Sequence, residues 1–279
     1  MKPLIQLNCK GRLFTATKPV VMGILNATPD SFYTRGRDNT PEDHLRKAAT
    51  MLEEGAQLLD IGGMSTRPGA AMITEQEETD RVVPVITSIR HHFPEAFISI
   101  DTYRASVAAA AVAAGADIVN DISAGSLDKA MLRTVAALKA PYILMHMQGT
   151  PADMQENPVY GQVTAEVLDF FLQKIRTCRE AGITDILLDP GFGFGKTLAH
   201  NYELLKGMHN LSIAGLPLLA GLSRKSMIYR LLQTTASEAL NGTTALHMLA
   251  LQQGAAILRV HDVKEAVECV QLHACYQTI

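Results

Sequence analysis

Six side chains of the 279-residue chain have the types and spacing to do chemistry on a polar, planar molecule: Asp101, Asn120, Asp189, Lys225, Arg259 and His261. Each stands at the end of a short apolar run. A carboxylate such as Asp101 or Asp189 can accept two parallel N–H donors from an amidine-like edge, and Asn120 can both donate and accept, as a lactam or amide edge requires. Arg259 and His261 are two residues apart, a spacing that sends both side chains to one face of a strand. With Thr66 and Arg67 they suit the oxygens of a phosphate group. The combination describes a pocket acidic at depth and basic at its rim. For single residues the plainer roles stay open: Asp101 or Asp189 capping a helix, Arg259 pairing with Asp262, and His261 as a satisfied structural histidine.

The runs that carry these residues are Val20–Leu25, Leu58–Ile61, Phe97–Ile100, Asp117–Asn120, Tyr142–Met145, Ile186–Leu188, Leu218–Gly221 and Ile257–Val260. They are near-continuous hydrophobics, as strands buried on both faces of a parallel sheet require. Between them lie Ala- and Leu-rich stretches with helical spacing, stopped by Gly55, Gly115, Gly182 and Gly254. Eight strands alternating with helices, with no linker, predict a single-domain (β/α)8 TIM barrel over residues 19–279, preferred to an open doubly wound sheet. Residues 1–18 form an N-terminal extension with the makings of a hairpin that caps one end. In a barrel the polar tips converge on one mouth, where barrel enzymes keep their sites.

Composition narrows the partners. With 25 basic and 28 acidic residues the net charge is −3, which gives no footprint for nucleic acid and no polybasic membrane patch. An anionic ligand must then be held by a local cluster. No long apolar segment marks a signal peptide or a membrane span, and four cysteines (Cys9, Cys178, Cys269, Cys275) without a CxxC pair fit a cytoplasmic protein with reduced thiols. His91 and His92, near a helix end, are expected to face solvent. The glycine loop Gly191-Phe192-Gly193-Phe194-Gly195-Lys196-Thr197 is not a phosphate-binding P-loop, because Pro190 stands where that pattern needs glycine. It reads as a flexible pocket wall, with Phe192 available to an aromatic substrate.

The ordered motifs resemble those of the dihydropteroate synthases. Val21–Phe32 resembles the first signature and Asp60–Ala70 the second; Ile98–Thr102, Val119–Asp121, Asp189–Phe194, Ser223–Ser226 and Leu258–Val263 follow in order, covering nearly the whole chain. The resemblance implies an alkyl-transferring enzyme of folate biosynthesis, a sulfonamide target, that joins a dihydropterin methyl diphosphate to p-aminobenzoate and expels diphosphate. Under it, Asp101, Asn120, Asp189 and Lys225 hold the pterin, with Arg259 stacked on its face. Thr66, Arg67, Arg259 and His261 contact diphosphate, and Asn26 ligates a diphosphate-bound Mg2+. Ser223, at the start of the seventh barrel helix, receives the p-aminobenzoate carboxylate, and Pro68 and Phe192 flank its ring. Asp101, Lys225, Arg259 and His261 are the catalytic set, and late helices on the barrel exterior form a homodimer. Loops 28–40 and 63–73 are expected to close over diphosphate and create the p-aminobenzoate site. The resemblance breaks at Met64, where the family usually has Glu, and at Thr34-Arg35-Gly36, where it usually has an Asp-Gly-Gly turn. A corrinoid-dependent methyltransferase or a non-catalytic pterin-binding protein are the alternatives.

Overall fold

The computed structural model describes residues 4–28, 40–64, 72–151 and 153–278. An antiparallel hairpin comes first, β1 (Ile5–Cys9) and β2 (Arg12–Ala16), turned at Lys10-Gly11 with both residues at positive φ. Eight parallel strands then close into a barrel: β3 (Val20–Asn26), β4 (Leu58–Gly62), β5 (Phe97–Asp101), β6 (Ile118–Asp121), β7 (Tyr142–Met145), β8 (Ile186–Asp189), β9 (Leu218–Ala220) and β10 (Ala255–Val260). β10 pairs back to β3, which leaves no open edge. The barrel inferred from eight apolar runs is the fold observed, and most strands extend one residue past the predicted end, onto the polar tip.

Helices α1 (Pro41–Glu53), α2 (Glu75–His92), α3 (Ala105–Ala114), α4 (Met131–Leu138), α5 (Val163–Glu180), α6 (Leu198–Gly207), α7 (Ser226–Tyr229), α8 (Leu240–Gln252) and α9 (Val263–Thr278) surround the barrel. Three begin with a threonine capping box: Thr40 with Asp43, Thr74 with Glu77, and Thr197 with His200. Each box satisfies amide hydrogens that the first helical turn leaves without partners. Gly115 ends α3 at φ +122°, where a side chain would be strained. His91 and His92 are exposed, as expected.

The alternation of side chains along a strand builds the interior in layers. At the bottom lies an apolar layer that includes Met22, Leu58, Ile118, Ile143, Leu187, Leu219 and Ile257. The hairpin closes that end by adding Ile5, Leu7, Cys9 and Phe14 to the same cluster. Two residues further along the same strands come Asp60, Asn120, Met145, Asp189, Gly221 and Arg259. The interior therefore changes from dry hydrocarbon to charge within two residues. A second, larger apolar cluster fills the space between the sheet and its helices.

Leu7 is 2% exposed beneath the barrel. Leu7→Ala is expected to cost about 2–5 kcal/mol of unfolding free energy through lost transfer and a residual cavity, read as a lower urea midpoint; an unchanged midpoint would show that the hairpin does not pack on the barrel.

Candidate active site at the barrel mouth

At the carboxyl ends of the strands, a narrow recess of about 20 Å3 is lined by five polar side chains, Asp101, Asn120, Asp189, Lys225 and Arg259. Ile122, Met145 and Phe194 form its apolar wall. Gly221 keeps a side chain out of it, since a Cβ there would stand 3.6 Å from Asp189 Oδ2 and 3.7 Å from Lys225 Nζ. A larger cavity, about 190 Å3, lies between α1 and α2 and is lined by Ala27, His44, Arg81 and Pro84. It holds none of the residues singled out from the sequence.

Arg259 organises the recess. Its Nε donates to Asp60 Oδ2 at 2.5 Å and its Nη2 to Asp101 Oδ2 at 2.5 Å. Asn120 Nδ2 donates to the same Asp60 oxygen at 3.0 Å. Asp60 is fully buried and bridges the two, although it lines no part of the recess itself. Sequence reasoning missed Asp60, which stands in the middle of its run instead of at the tip. The signal was there: a carboxylate inside an otherwise apolar strand needs a partner. The pairing of Arg259 with Asp262 is not formed; Asp262 accepts Arg224 Nε at 2.8 Å and Nη2 at 2.7 Å instead.

Burial raises the Asp101 carboxyl to about 7, partly opposed by Arg259 and reinforced by Asp60. Burial raises Asp189 as well, against the pull of Lys225. It lowers Lys225 to about 8, with Asp189 working the other way. For Arg259 burial disfavours the charge, but Asp60 and Asp101 outweigh it and hold the guanidinium above its ordinary value. Among the described residues, Asp101 Oδ1 is buried without a hydrogen-bond partner. That oxygen is an acceptor available to a ligand.

Asp121, next to Asn120, points to the other face of β6. It accepts from Tyr142 Oη at 2.6 Å, Ser123 N at 2.7 Å and Gly125 N at 2.8 Å, and so fixes the turn after the strand.

A profile of the family described as pterin binding enzyme matches residues 22–261. The dihydropteroate synthase of Escherichia coli K12 is 46% identical over 270 residues, covering 96% of this chain and 95% of that protein. The Yersinia pestis dihydropteroate synthase, solved with a sulfonamide drug complex, superposes with a TM-score of 0.93 at 44% identity, over 98% of this chain and 99% of that one. The Xanthomonas albilineans dihydropteroate synthase, solved with 4-aminobenzoic acid, superposes with a TM-score of 0.91 at 43% identity over 98% of both chains. The chain belongs to the dihydropteroate synthase family. It is thereby an alkyl-transferring enzyme of folate biosynthesis.

Asp101, Asn120, Asp189, Lys225 and Arg259 meet in one recess. Thr66, Arg67 and Pro68 lie outside the described residues, as do Thr34, Arg35 and Gly36. Asn26 ends β3, and its Oδ1 lies 3.7 Å from the place a Cβ on Gly62 would take, a point also 3.8 Å from Asp101 Oδ2.

Two expectations are corrected. Phe192 does not face a substrate: it is fully buried in the core between sheet and helices, and Phe194 forms the aromatic wall. Gly191, Gly193 and Gly195 all adopt positive φ, so strand alternation does not carry through the loop and could not tell the two rings apart. Ser223 does not start the seventh barrel helix, because α7 begins at Ser226. Its Oγ lies 2.9 Å from His261 Nδ1 and accepts from His261 N at 3.1 Å. Ser223 orients His261.

Met64 packs in a small cluster with Tyr103, Ile122 and Met145, and its Sδ lies 3.8 Å from Tyr103 Oη. An apolar thioether thus takes the position where the family usually carries a carboxylate.

Asp60→Ala is expected to weaken pterin binding at least about tenfold, because Arg259 and Asn120 lose their shared acceptor. Calorimetric titration of the variant with a pterin checks this. Unchanged affinity would mean that Asp101 holds Arg259 well enough alone.

Proposed function

We propose that the chain condenses (7,8-dihydropterin-6-yl)methyl diphosphate with p-aminobenzoate to give 7,8-dihydropteroate and diphosphate. The observation that carries this reading is the pairing at Asp101: Arg259 takes one oxygen at 2.5 Å, while the other is buried and open to a ligand donor. In this reading Asp101 and Asp189 accept the pterin's N–H groups, Asn120 meets its mixed donor–acceptor edge, Lys225 donates to its carbonyl oxygen, and Arg259 stacks on its face. Phe194 and Pro68 flank the p-aminobenzoate ring. Thr66, Arg67, Arg259 and His261 take the diphosphate. The crystallised Yersinia relative bound to a sulfonamide complex and the Xanthomonas relative bound to 4-aminobenzoic acid support an arylamine as second substrate.

The methylene–oxygen bond breaks with its electron pair leaving on diphosphate. The electron-poor methylene is conjugated with the pterin, and the Asp101 carboxylate beneath stabilises it. The lone pair of the arylamine nitrogen then forms the new C–N bond, and the nitrogen sheds a proton to water or diphosphate. No protein nucleophile takes part. Fixed donors such as Arg67, Arg259 and His261 each contribute about 2–4 kcal/mol where charge develops on the leaving group in a dry site.

The donor set fits a Mg2+ that travels with the substrate. Asn26 offers one hard oxygen beside Asp101, and among the described residues no cluster of three His, Cys, Asp or Glu side chains forms a self-sufficient cage. Such an ion would be held by Asn26 and supply charge neutralisation for the diphosphate.

Two further features belong to this proposal. The four free cysteines suit the reducing cytoplasm. Leu249 on α8, and Leu272 and Tyr276 on α9, are large apolar side chains exposed on late helices, which supports a homodimer through that side of the barrel. Sedimentation at twice the 30.2 kDa chain mass is expected, and a single-chain mass would overturn it.

The decisive assay is diphosphate release from the pterin substrate, with and without p-aminobenzoate. Release that depends on the arylamine is expected, and none would favour a binding protein or a methyltransferase. The active form needs Asp101 ionised and Lys225 protonated. With Asp101 raised to about 7 and Lys225 lowered to about 8, kcat/KM should rise with pH as Asp101 ionises and fall as Lys225 loses its proton. The optimum is therefore narrow and lies between these limbs. Lys225→Arg should move the alkaline limb upward, since guanidinium stays charged; an unmoved limb would assign it to another group.

A further inference from the structure

The glycine loop after β8 contains a charged side chain that the proposed chemistry does not use. Lys196 is 3% exposed, yet it belongs to neither the recess nor the surface. Its Nζ meets four acceptors: His146 Nδ1 at 2.9 Å, Gly191 O at 2.9 Å, Phe194 O at 3.0 Å and, more distantly, His146 O at 3.5 Å. Nδ1 can accept only if the ring is neutral there. Burial, and then the Lys196 charge, lower His146 to about 3, so that condition holds. Every lysine donor has an acceptor, yet burial still lowers Lys196 to about 7, with Asp189 working the other way.

The loop needs such a fastening. Gly191, Gly193 and Gly195 sit at φ +68°, +81° and +61°, conformations that cost other residues strain and that three glycines can readily leave. Side chains hold the loop's carbonyls from several directions. Gln155 donates to Gly193 O at 2.7 Å, and Tyr160 to Gly195 O at 2.8 Å. From the recess side, Lys225 donates to Phe192 O at 2.5 Å while its Nζ stands 4.7 Å from the centre of the Phe194 ring. From the core side, Lys196 takes the carbonyls at both ends of the Gly191–Phe194 turn. The adjoining helix start is fixed as well, by the Thr197 cap and by Asn201, which accepts from Gly193 N at 2.7 Å.

We propose that Lys196 is a positioning residue for the transfer reaction: by clamping Gly191 O and Phe194 O against His146, it sets the Phe194 ring and the Phe192 carbonyl where Lys225 and the arylamine substrate meet them. The inference rests on the synthase reading, in which Phe194 walls the p-aminobenzoate site. The pterin is held mainly by Asp101, Asn120 and Asp189, which come from strands. Loss of the clamp therefore falls on the second substrate.

Lys196→Met, which keeps length and removes the donors, tests this in the full-length enzyme. The expected result is a KM for p-aminobenzoate raised at least about tenfold, with pterin affinity changed less than about threefold. Because Lys196 acts through Phe194, its effect should nearly vanish in a Phe194→Ala background, to less than about threefold. A lysine that only supports folding would lower kcat through loss of active molecules and leave KM untouched. That outcome overturns the proposal, as do effects that multiply fully in the double variant. If Lys196→Met does not fold, His146→Leu removes one acceptor only and should raise the same KM about threefold, with the same coupling to Phe194; a wild-type KM there is equally fatal. Wild-type enzyme that releases no diphosphate removes the synthase reading and this inference with it, whereas normal turnover with an unmoved KM in the variants removes this inference alone.

Discussion

Three carboxylates, Asp60, Asp101 and Asp189, converge inside the barrel, and the Arg259 guanidinium is what allows them to share that space. It bonds two of them at 2.5 Å each and lies close enough to Asp189 to be held charged by it. Buried ion pairs add little net stability, because desolvation of the charges offsets their attraction. The value of this one is geometric. A bidentate, planar cation locks Asp60 and Asp101 at a fixed separation and leaves one oxygen of each without a partner among the described residues. Removing the cation would take away the charge that opposes burial at Asp101 and Asp189 and push both carboxyls further up. The acceptor edge of the recess would then become a donor edge. The recess thus reads N–H groups only while Arg259 is in place.

The layering of the interior determines where such a cluster can exist. Ile118, Ile143, Leu187, Leu219 and Ile257, with the hairpin residues Leu7 and Phe14, keep water from below. Two positions along the same strands the charges begin, so the cluster rests on hydrocarbon and opens only upward. In this setting a charge interacts several-fold more strongly than in water. Burial is the largest cause that raises Asp101 to about 7 and lowers Lys225 to about 8, although their ordinary values are far apart, and the neighbouring charges adjust both.

Much of this was legible in the sequence because a barrel strand obeys a simple alternation. Asp101, Asn120, Asp189 and Arg259 each end an apolar run, and closure of the barrel brings run ends together without any detail of packing. Asp60 escaped because it shares the layer of Asn120, Asp189 and Arg259 but stands inside its apolar run, where a reading of tips does not look. Residue type favours neither Phe192 nor Phe194 as the pocket wall, because glycines at positive φ break the alternation between them. Ser223 was misplaced because the turn after β9, with Arg224 at φ +55°, delays the helix to Ser226. Lys196 looked like part of a failed phosphate loop, and only the fold shows its ammonium turned inward. In each case the missing information is a tertiary contact or a backbone angle that residue type does not fix.

The two departures from the family pattern act in one electrical direction. Met64 replaces the usual Glu and so removes a negative charge; its sulfur rests against Tyr103 and adds to the apolar wall with Met145. Thr34-Arg35-Gly36 replaces an Asp-Gly-Gly turn, which removes another carboxylate and adds a cation. The strand-borne acids Asp60, Asp101 and Asp189 are untouched. The cradle that accepts N–H donors keeps its charge, while negative charge is lost from the segments that follow β3 and β4. A diphosphate carries charge that fixed acids nearby would oppose, and the penalty grows as water is excluded. In the proposed reading, where the chain following β3 and β4 meets the diphosphate, loss of acids from it lowers that opposition. Asn26, a neutral oxygen donor at the end of β3, would then hold a cation without adding negative charge beside the leaving group.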